Sequence, residues 1–298
     1  MAKKHSKSGW IILDKPSGVF SRAAGTRISK AIGVKKFGHI GTLDPMASGV
    51  LPLAIGDATK MIPYIEERED ADIKEYFFSM FFGVETTTGD ITGRIIKRGG
   101  ITPDAHAIVR AASRLVGDIM QTPPAFSAVH IDGRRAYEIA RAGQKVDIPP
   151  RRVRIHSLEL TGRNGNSWAF RVVCSRGTYV RSIAADIARM CGTIATVDMI
   201  RRVRSGPFNI KNAQKLDFLE NLGNNGGDIG AYLVPADFGL ADIPVLRLSH
   251  IVAGRWSHGA TVQTDKNTAD GTVRVYDEDI FIGIGTVRDG ALMPKRIL

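Results

Sequence analysis

Apolar and polar positions along the 298-residue chain fall into short blocks whose spacing switches between two and about four residues. GWIILDKPSG (9–18) predicts a strand that ends in a Pro/Gly turn. SRAAGTRISKAIGV (21–34), with Ser21 as its cap, predicts a helix. GVLPLAIG predicts a buried strand, and GDATKMIPYIEE a helix with Asp57 at its N-terminus. KEYFFSMFFGV predicts an aromatic strand, with TTTGDITGRIIKR as its hairpin return. TPDAHAIVRAASRLVGDI predicts a helix started by Thr102, Pro103 and Asp104. SAVHIDGRRAYEIARAG reads as strand, Asp-Gly turn and helix. RRVRIHSLELTGRNGNSWAFRVVCS reads as a hairpin around Asn-Gly. RGTYVRSIAADIARMCG opens a helix from a loop, and ATVDMIRRVRSGPF is a further strand.

Strands and helices mix without a regular βαβ period, which predicts an α+β fold with a mixed or antiparallel sheet. NLGNNGGDIG (221–230) has the composition of a linker. Beyond it, IPVLRL, GATVQ, GTVRVYD and FIGIGTVRDGALMPKRIL are short strand runs with glycine turns, as in a small β-barrel. The expected division is a body of residues 1–240, opening with a disordered basic arm over 1–9, and a tail domain of residues 241–298.

Composition narrows the function. With 43% hydrophobic and 24% charged residues the chain has the balance of a globular protein with a real core. Its longest apolar run, VLPLAI, is far too short for a membrane span, and the basic N-terminus lacks the pattern of a signal peptide. The two cysteines, Cys174 and Cys191, suggest neither a disulfide framework nor a zinc site, which fits a reducing cytoplasm. The seven histidines form no ligand pair, GIGTVR lacks the third glycine of a dinucleotide loop, and no phosphate-binding G-x-x-x-x-G-K-[ST] occurs. No metal and no cofactor is therefore expected. The net charge of +11 lies wholly before residue 241, because the tail carries seven basic against seven acidic residues. Residues 1–40 hold nine basic residues against one acid, and residues 134–154 hold seven against two, the footprint of a polyanion ligand. The second cluster, with Arg201, Arg202 and Arg204, supplies candidate phosphate contacts.

One acid stands out. Asp44, in GHIGTLDPMASGVLPLAIGDATK, is the only Asp or Glu between Lys15 and Gly56. Gly41, Pro45, Ser48 and Gly49 frame it as a sharp, tightly packed loop. It either caps a turn or is held in a dry place for chemistry.

The same stretch resembles the catalytic motif of the TruB family of tRNA pseudouridine synthases. WIILDKPSG resembles the family's first motif, KEYFFSMFFGVETTTGD its tyrosine-bearing strand and SRGTYVRSIAADI its arginine-bearing segment. TPPAFSAVHIDGRRAYEIARAG resembles a further family stretch, and the tail resembles its C-terminal PUA-type domain. Order and spacing agree over nearly the whole chain.

The resemblance implies isomerisation of a uridine in RNA to its C-glycoside, at position 55 of the tRNA T-arm, on a base flipped out of its stack. It makes Asp44 the catalytic carboxylate, Arg181 its charge partner and Tyr76 the ring that stacks on the base and a possible proton acceptor. His39 corresponds to a histidine that helps hold the flipped loop, and Tyr179 to a substrate-contacting tyrosine. Ile200 stands where leucine is expected, an apolar contact that survives the change. Lys15, Pro16 and Gly41 are expected to brace the catalytic loop, and Lys60 to meet RNA phosphate or an acid. The solitude of Asp44 is expected to spare it and the RNA from like charge. The resemblance further implies a monomer that acts on tRNA without guide RNA, aided at the acceptor stem by the tail. Two rival readings are a relative working inside a guide-RNA particle and an RNA-binding protein with a vestigial site.

Overall fold

The computed structural model describes residues 7–68, 72–131, 133–265 and 267–298. Most of the basic arm (residues 1–6) and Asp132 of the Asp-Gly turn lie outside the described residues.

The first strands are β1 (Gly9–Lys15), β2 (Phe37–His39), β3 (Ser48–Ile55) and β4 (Lys74–Phe82), with the ribbon β5 (Val84–Thr86) and β6 (Ile95–Arg98) after them. Next come β7 (Gly117–Gln121), the small hairpin β8 (His130–Ile131) and β9 (Arg134–Arg135) leading into α4 (Ala136–Arg141), and the long hairpin β10 (Arg151–Asn164) and β11 (Ser167–Cys174). β12 (Ala195–Ser205), β13 (Phe208–Asn209) and β14 (Gln214–Lys215) complete the body. One ten-stranded sheet has the order β14-β1-β3-β12-β4-β11-β10-β7, with β2 on β3 and β13 on β12. The pairs β1–β14 and β3–β12 are parallel and the rest are antiparallel, so the fold is the expected α+β with a mixed sheet.

Period-two patterning builds its centre. Lys74, Tyr76, Phe78, Met80 and Phe82 of β4 are buried while the residues between them are more open. β3 is buried along nearly its whole length, as its continuous apolar run requires. Helices α1 (Ser21–Ile32), α3 (Ala105–Ser113) and α5 (Val180–Met190) cover one face, over a core that includes Ile28, Leu51, Phe78 and Ile183. Phe78 and Phe170 stack there with ring centroids 5.0 Å apart. Asp104 caps α3 by accepting from the Ala107 N–H at 2.7 Å, an interaction that contributes about 1 kcal/mol.

Several expected elements take another form. GDATKMIPYIEE is a 3₁₀ turn over Gly56–Met61 followed by the short α2 (Ile62–Glu66), because the Pro63 ring would clash with the carbonyl four residues back. TTTGDITGRIIKR does not return along β4, whose edges are filled by β11 and β12; it makes the separate β5–β6 ribbon. Ser21 does not cap α1; Phe20 stands at the cap position, and the Ser21 hydroxyl is spent on Leu43. The linker-like 221–230 is not a linker. It begins inside α6 (Leu216–Asn224), buries Ile229, and packs Gly223 so closely that a Cβ there would lie 3.2 Å from that of Ala31.

In the tail, β15 (Val245–Leu248), β16 (Val262–Gln263), β17 (Gly271–Asp277), β18 (Ile280–Arg288) and β19 (Ala291–Ile297) form a sheet in the order β15-β17-β18-β19-β16. It packs around the fully buried Trp256 of α7 (His250–Ser257), a helix that the strand-rich patterning does not predict. Ile284, Phe281 and Leu298 of the tail join Trp10, Ile12 and Phe208 in one apolar cluster on the second face of the main sheet.

Candidate active site

The loop between β2 and β3 carries Asp44 and is pinned from below by the turn after β1. Ser21 bonds both the N–H and the carbonyl of Leu43 at 2.9 Å, Ser17 donates to the Met46 carbonyl at 2.8 Å, and the Gly18 N–H donates to that of Pro45 at 2.7 Å. Lys15, fully buried, donates to the carbonyls of Pro16 (2.9 Å), Val19 (2.7 Å) and Pro45 (3.3 Å). Burial lowers its pKa to about 8, partly offset by the charge of Asp44. Gly41, at φ +66°, offers its carbonyl to Arg202 Nη2 at 2.6 Å. Thus Lys15, Pro16 and Gly41 all lie in the frame beneath the loop.

Asp44 pairs with Arg181, at the first turn of α5, through Oδ2 and Nη2 at 2.8 Å. Arg181 is only 4% exposed, donates to the carbonyls of Thr88 and Phe126 at 2.8 Å each, and lies 3.8 Å from Asp90 Oδ2. The loop between β5 and β6 thus brings a second buried acid to the far side of Arg181, so Asp44 is solitary along the chain but not in space. Asp90 is held by the Thr88 hydroxyl (2.8 Å) and the Thr92 N–H (2.9 Å). Burial raises the Asp44 pKa most; Arg181 opposes this, Asp90 adds to it, and the carboxyl ends above its ordinary value. A third of the Asp44 side chain stays open to a cavity.

That cavity, about 330 Å³, is walled by Asp44, Tyr76, Tyr179, Ile200, Lys74 and Arg202 among others. Tyr76 projects from β4, and burial raises its hydroxyl pKa against the opposing charge of Arg202. Tyr179 precedes α5, its backbone held in both directions by the Gln121 side chain at 2.8 and 3.2 Å. His39 stands one step outside the wall and bonds Thr42, which lines it, at 3.0 Å. Burial and the nearby Arg202 and Arg22 lower its pKa. Lys60 is remote from the cavity; it pairs with Asp57 at 3.1 Å and donates to the Ile297 carbonyl of the tail at 3.0 Å.

Arg202 is not a surface phosphate contact. It is 1% exposed and donates to the Val50 carbonyl at 2.8 Å as well as to Gly41. Arg201 pairs with Asp14 at 2.9 Å, and Arg204 donates to the Gly206 carbonyl at 2.9 Å. Patterning missed Asp90, Lys74 and the inward turn of Arg202. For the last a signal existed, since in a strand position 202 shares its face with Ile200.

Lys74 shares the buried face of β4 with Tyr76 and donates to Ser205 at 3.0 Å. Burial and Arg202 lower its pKa to about 8, against Glu66 and Asp72; Cys174 faces it too, its own thiol pushed up to about 12. Between pH 8 and the ordinary 10.5 the unfolded chain keeps a proton on Lys74 that the folded chain has released, so this lysine makes stability rise with pH there. Denaturant unfolding from about pH 7.5 to about pH 9.5 should favour the natural protein over Lys74→Met by about 2 kcal/mol more at the upper pH. An identical pH dependence in the two proteins would refute the shifted lysine.

Among the described residues no group of three His, Cys, Asp or Glu could hold a metal ion, and no helix is long and apolar enough to cross a membrane. What the cavity offers is an ionisable carboxylate locked to a guanidinium, beside an aromatic ring and an apolar wall.

Residues 29–180 match the TruB family pseudouridylate synthase N-terminal domain, and residues 244–298 match the C-terminal domain of pseudouridine synthase II TruB. The chain is 40% identical to the tRNA pseudouridine synthase B of Stutzerimonas stutzeri (strain A1501), over 98% of this chain and 95% of that one. It is 38% identical to that of Paracoccus denitrificans (strain Pd 1222), over 100% and 99%. The fold is similar to that in a Cbf5-Nop10-Gar1 complex, with TM-score 0.67 and 24% identity over 97% of this chain and 84% of that one.

Proposed function

The chain belongs to the TruB family of pseudouridylate synthases, and we propose that it isomerises one uridine of tRNA, position 55 in the T-arm, to pseudouridine without a cofactor. The observation that carries this reading is the Asp44–Arg181 pair at 2.8 Å, open to a cavity that Tyr76 also lines. The target base is extruded, since its glycosidic bond is out of reach while it is stacked, and lies against the Tyr76 ring. Asp44, in its ionised form, acts as nucleophile or base, and Arg181 offsets its charge in a water-poor site. The N1–C1′ bond breaks, the uracil turns, C5 joins C1′, and the proton lost from C5 is matched by one gained at N1. Ile200 supplies an apolar contact to the base, and Tyr179 and His39 hold the RNA around it.

The body over 1–240 is the catalytic domain and the tail over 241–298 an RNA-binding domain reaching toward the acceptor stem. Lys60 ties the two together rather than meeting RNA. The enzyme acts in the cytoplasm as a monomer, without guide RNA. The test is tritium release from C5-labelled uridine in an unmodified tRNA transcript, with no metal, nucleotide or guide RNA added. One tritium per tRNA should be released, and none when position 55 is cytidine. Tight tRNA binding with no release would sink the proposal in favour of a pure binder.

A further inference from the structure

Arg151 begins β10 and lines the cavity beside Tyr179. Its guanidinium lies over the Tyr179 ring, 4.8 Å from the centroid, and its Nη2 donates to the Gly177 carbonyl. Gly177 has φ +80°, and a Cβ there would stand 3.3 Å from the guanidinium carbon, so glycine both permits the turn and leaves room for the stack. Gln121, the partner of Arg151 across the β7–β10 ladder, grips both backbone groups of Tyr179. Ring, carbonyl and strand therefore fix the guanidinium plane before any ligand arrives.

The neighbouring arginines are all committed. Arg176 pairs with Asp72, Arg181 with Asp44, and Arg202 donates to two carbonyls. Among the described residues the Arg151 guanidinium meets the Gly177 carbonyl and the Tyr179 ring but no carboxylate in an ion pair, and its Nε is buried without an acceptor. A partly buried, pre-oriented cation without a counter-ion at the edge of the cavity is a site for an anion. In a nucleic acid the anion is the phosphodiester, and a base lodged in the cavity carries its own phosphates to the rim.

We infer that Arg151 is a positioning residue that grips a non-bridging oxygen of a phosphodiester flanking the target uridine, so that backbone and base are fixed together. This rests on the reaction proposed above. The stack on Tyr179 makes the grip directional, and lysine cannot reproduce it.

The test uses synthetic T-arm stem-loops with C5-tritiated target uridine, carrying an uncharged methylphosphonate either 5′ or 3′ of that uridine. At one of the two positions the neutral linkage should cost the natural protein roughly ten- to hundredfold in kcat/KM, the worth of one hydrogen bond between charged groups. Arg151→Gln should lose a similar factor on the all-phosphate RNA, and no more when the linkage is also neutral. It should also flatten the slope of log Kd against log salt by about 0.7 to 1. Arg151→Lys should recover the salt slope but not the full rate. If Arg151→Gln loses the same factor with and without either methylphosphonate, the inference fails even though the enzyme turns over. If the natural protein releases no tritium from the all-phosphate RNA, the reading of the reaction has failed instead. Melting curves guard against a misfolded variant, since a folded Arg151→Gln that matches the natural protein on every RNA equally refutes the contact.

Discussion

Asp44→Asn is expected to bring tritium release down to the protein-free background, at least about 10⁴-fold below the natural protein, while tRNA binding changes little. Asparagine keeps the shape and can still accept from Arg181 Nη2, now at 2.8 Å from Asp44 Oδ2. What it lacks is the negative charge and the basic oxygen that the isomerisation needs. The pH profile offers an independent check. In the proposed reaction Asp44 acts ionised, and burial together with Asp90 raises its pKa, so the acid limb of kcat/KM should lie above the ordinary carboxylate value of about 3.9. A raised pKa also means that the ionised form is disfavoured by the fold. Ionised Asp44 therefore weakens the folded state as pH rises through its folded pKa, and Asp44→Asn at neutral pH should be no less stable than the natural protein. Residual turnover within tenfold of the natural level would remove Asp44 from the chemistry. A large fall in tRNA affinity with parallel loss of rate would make it a binding residue.

The parts of this site legible in the sequence are those whose neighbours along the chain constrain them. Asp44 sits in an acid-free, glycine-framed loop and Tyr76 in a strand of strict alternation, and both line the same cavity; Arg181, at the opening of a helix, reaches it only through its pair with Asp44. The parts that were not legible depend on contacts made far along the chain. Asp90 is 46 positions beyond Asp44, in a segment whose polar, turn-rich composition says nothing of Arg181. Arg202 belongs to the run RRVR, which resembles a solvated basic face, yet β12 lies between β3 and β4 in mid-sheet and turns that residue inward. Lys60 belongs to the motif that carries Asp44, but the 3₁₀ turn aims it at the tail. Composition misled most at 221–230, where glycine and asparagine mark close helix packing and a tight return rather than a tether.

The largest loss of stability is expected from Gly49→Ala, and the reason separates conformational strain from collision. Gly49, the second residue of β3, has φ +104°, and in the parallel pairing with β12 it stands opposite Arg202. A Cβ would lie 2.0 Å from the Arg202 carbonyl oxygen and 2.8 Å from its amide nitrogen, both backbone atoms that cannot swing aside. Gly33, which ends α1 at φ +79°, has nothing within 4 Å of the place a Cβ would take. Gly33→Ala should therefore cost only the left-handed backbone penalty, about 1 kcal/mol. Gly49→Ala adds the displacement of two central strands and should cost about 4 kcal/mol or more. At about 2–4 °C per kcal/mol for a chain of this size, Tm should fall by roughly ten degrees for Gly49→Ala against a few for Gly33→Ala. Activity should separate them further. Moving the backbone of Arg202 loosens its hold on the Gly41 carbonyl, now 2.6 Å away, and with it the loop that presents Asp44. Gly49→Ala should then lose tritium release well below its own Tm, whereas Gly33→Ala keeps the natural rate. Equal Tm values for the two variants would mean that β3 and β12 do not meet at Gly49 as closely as their pairing requires.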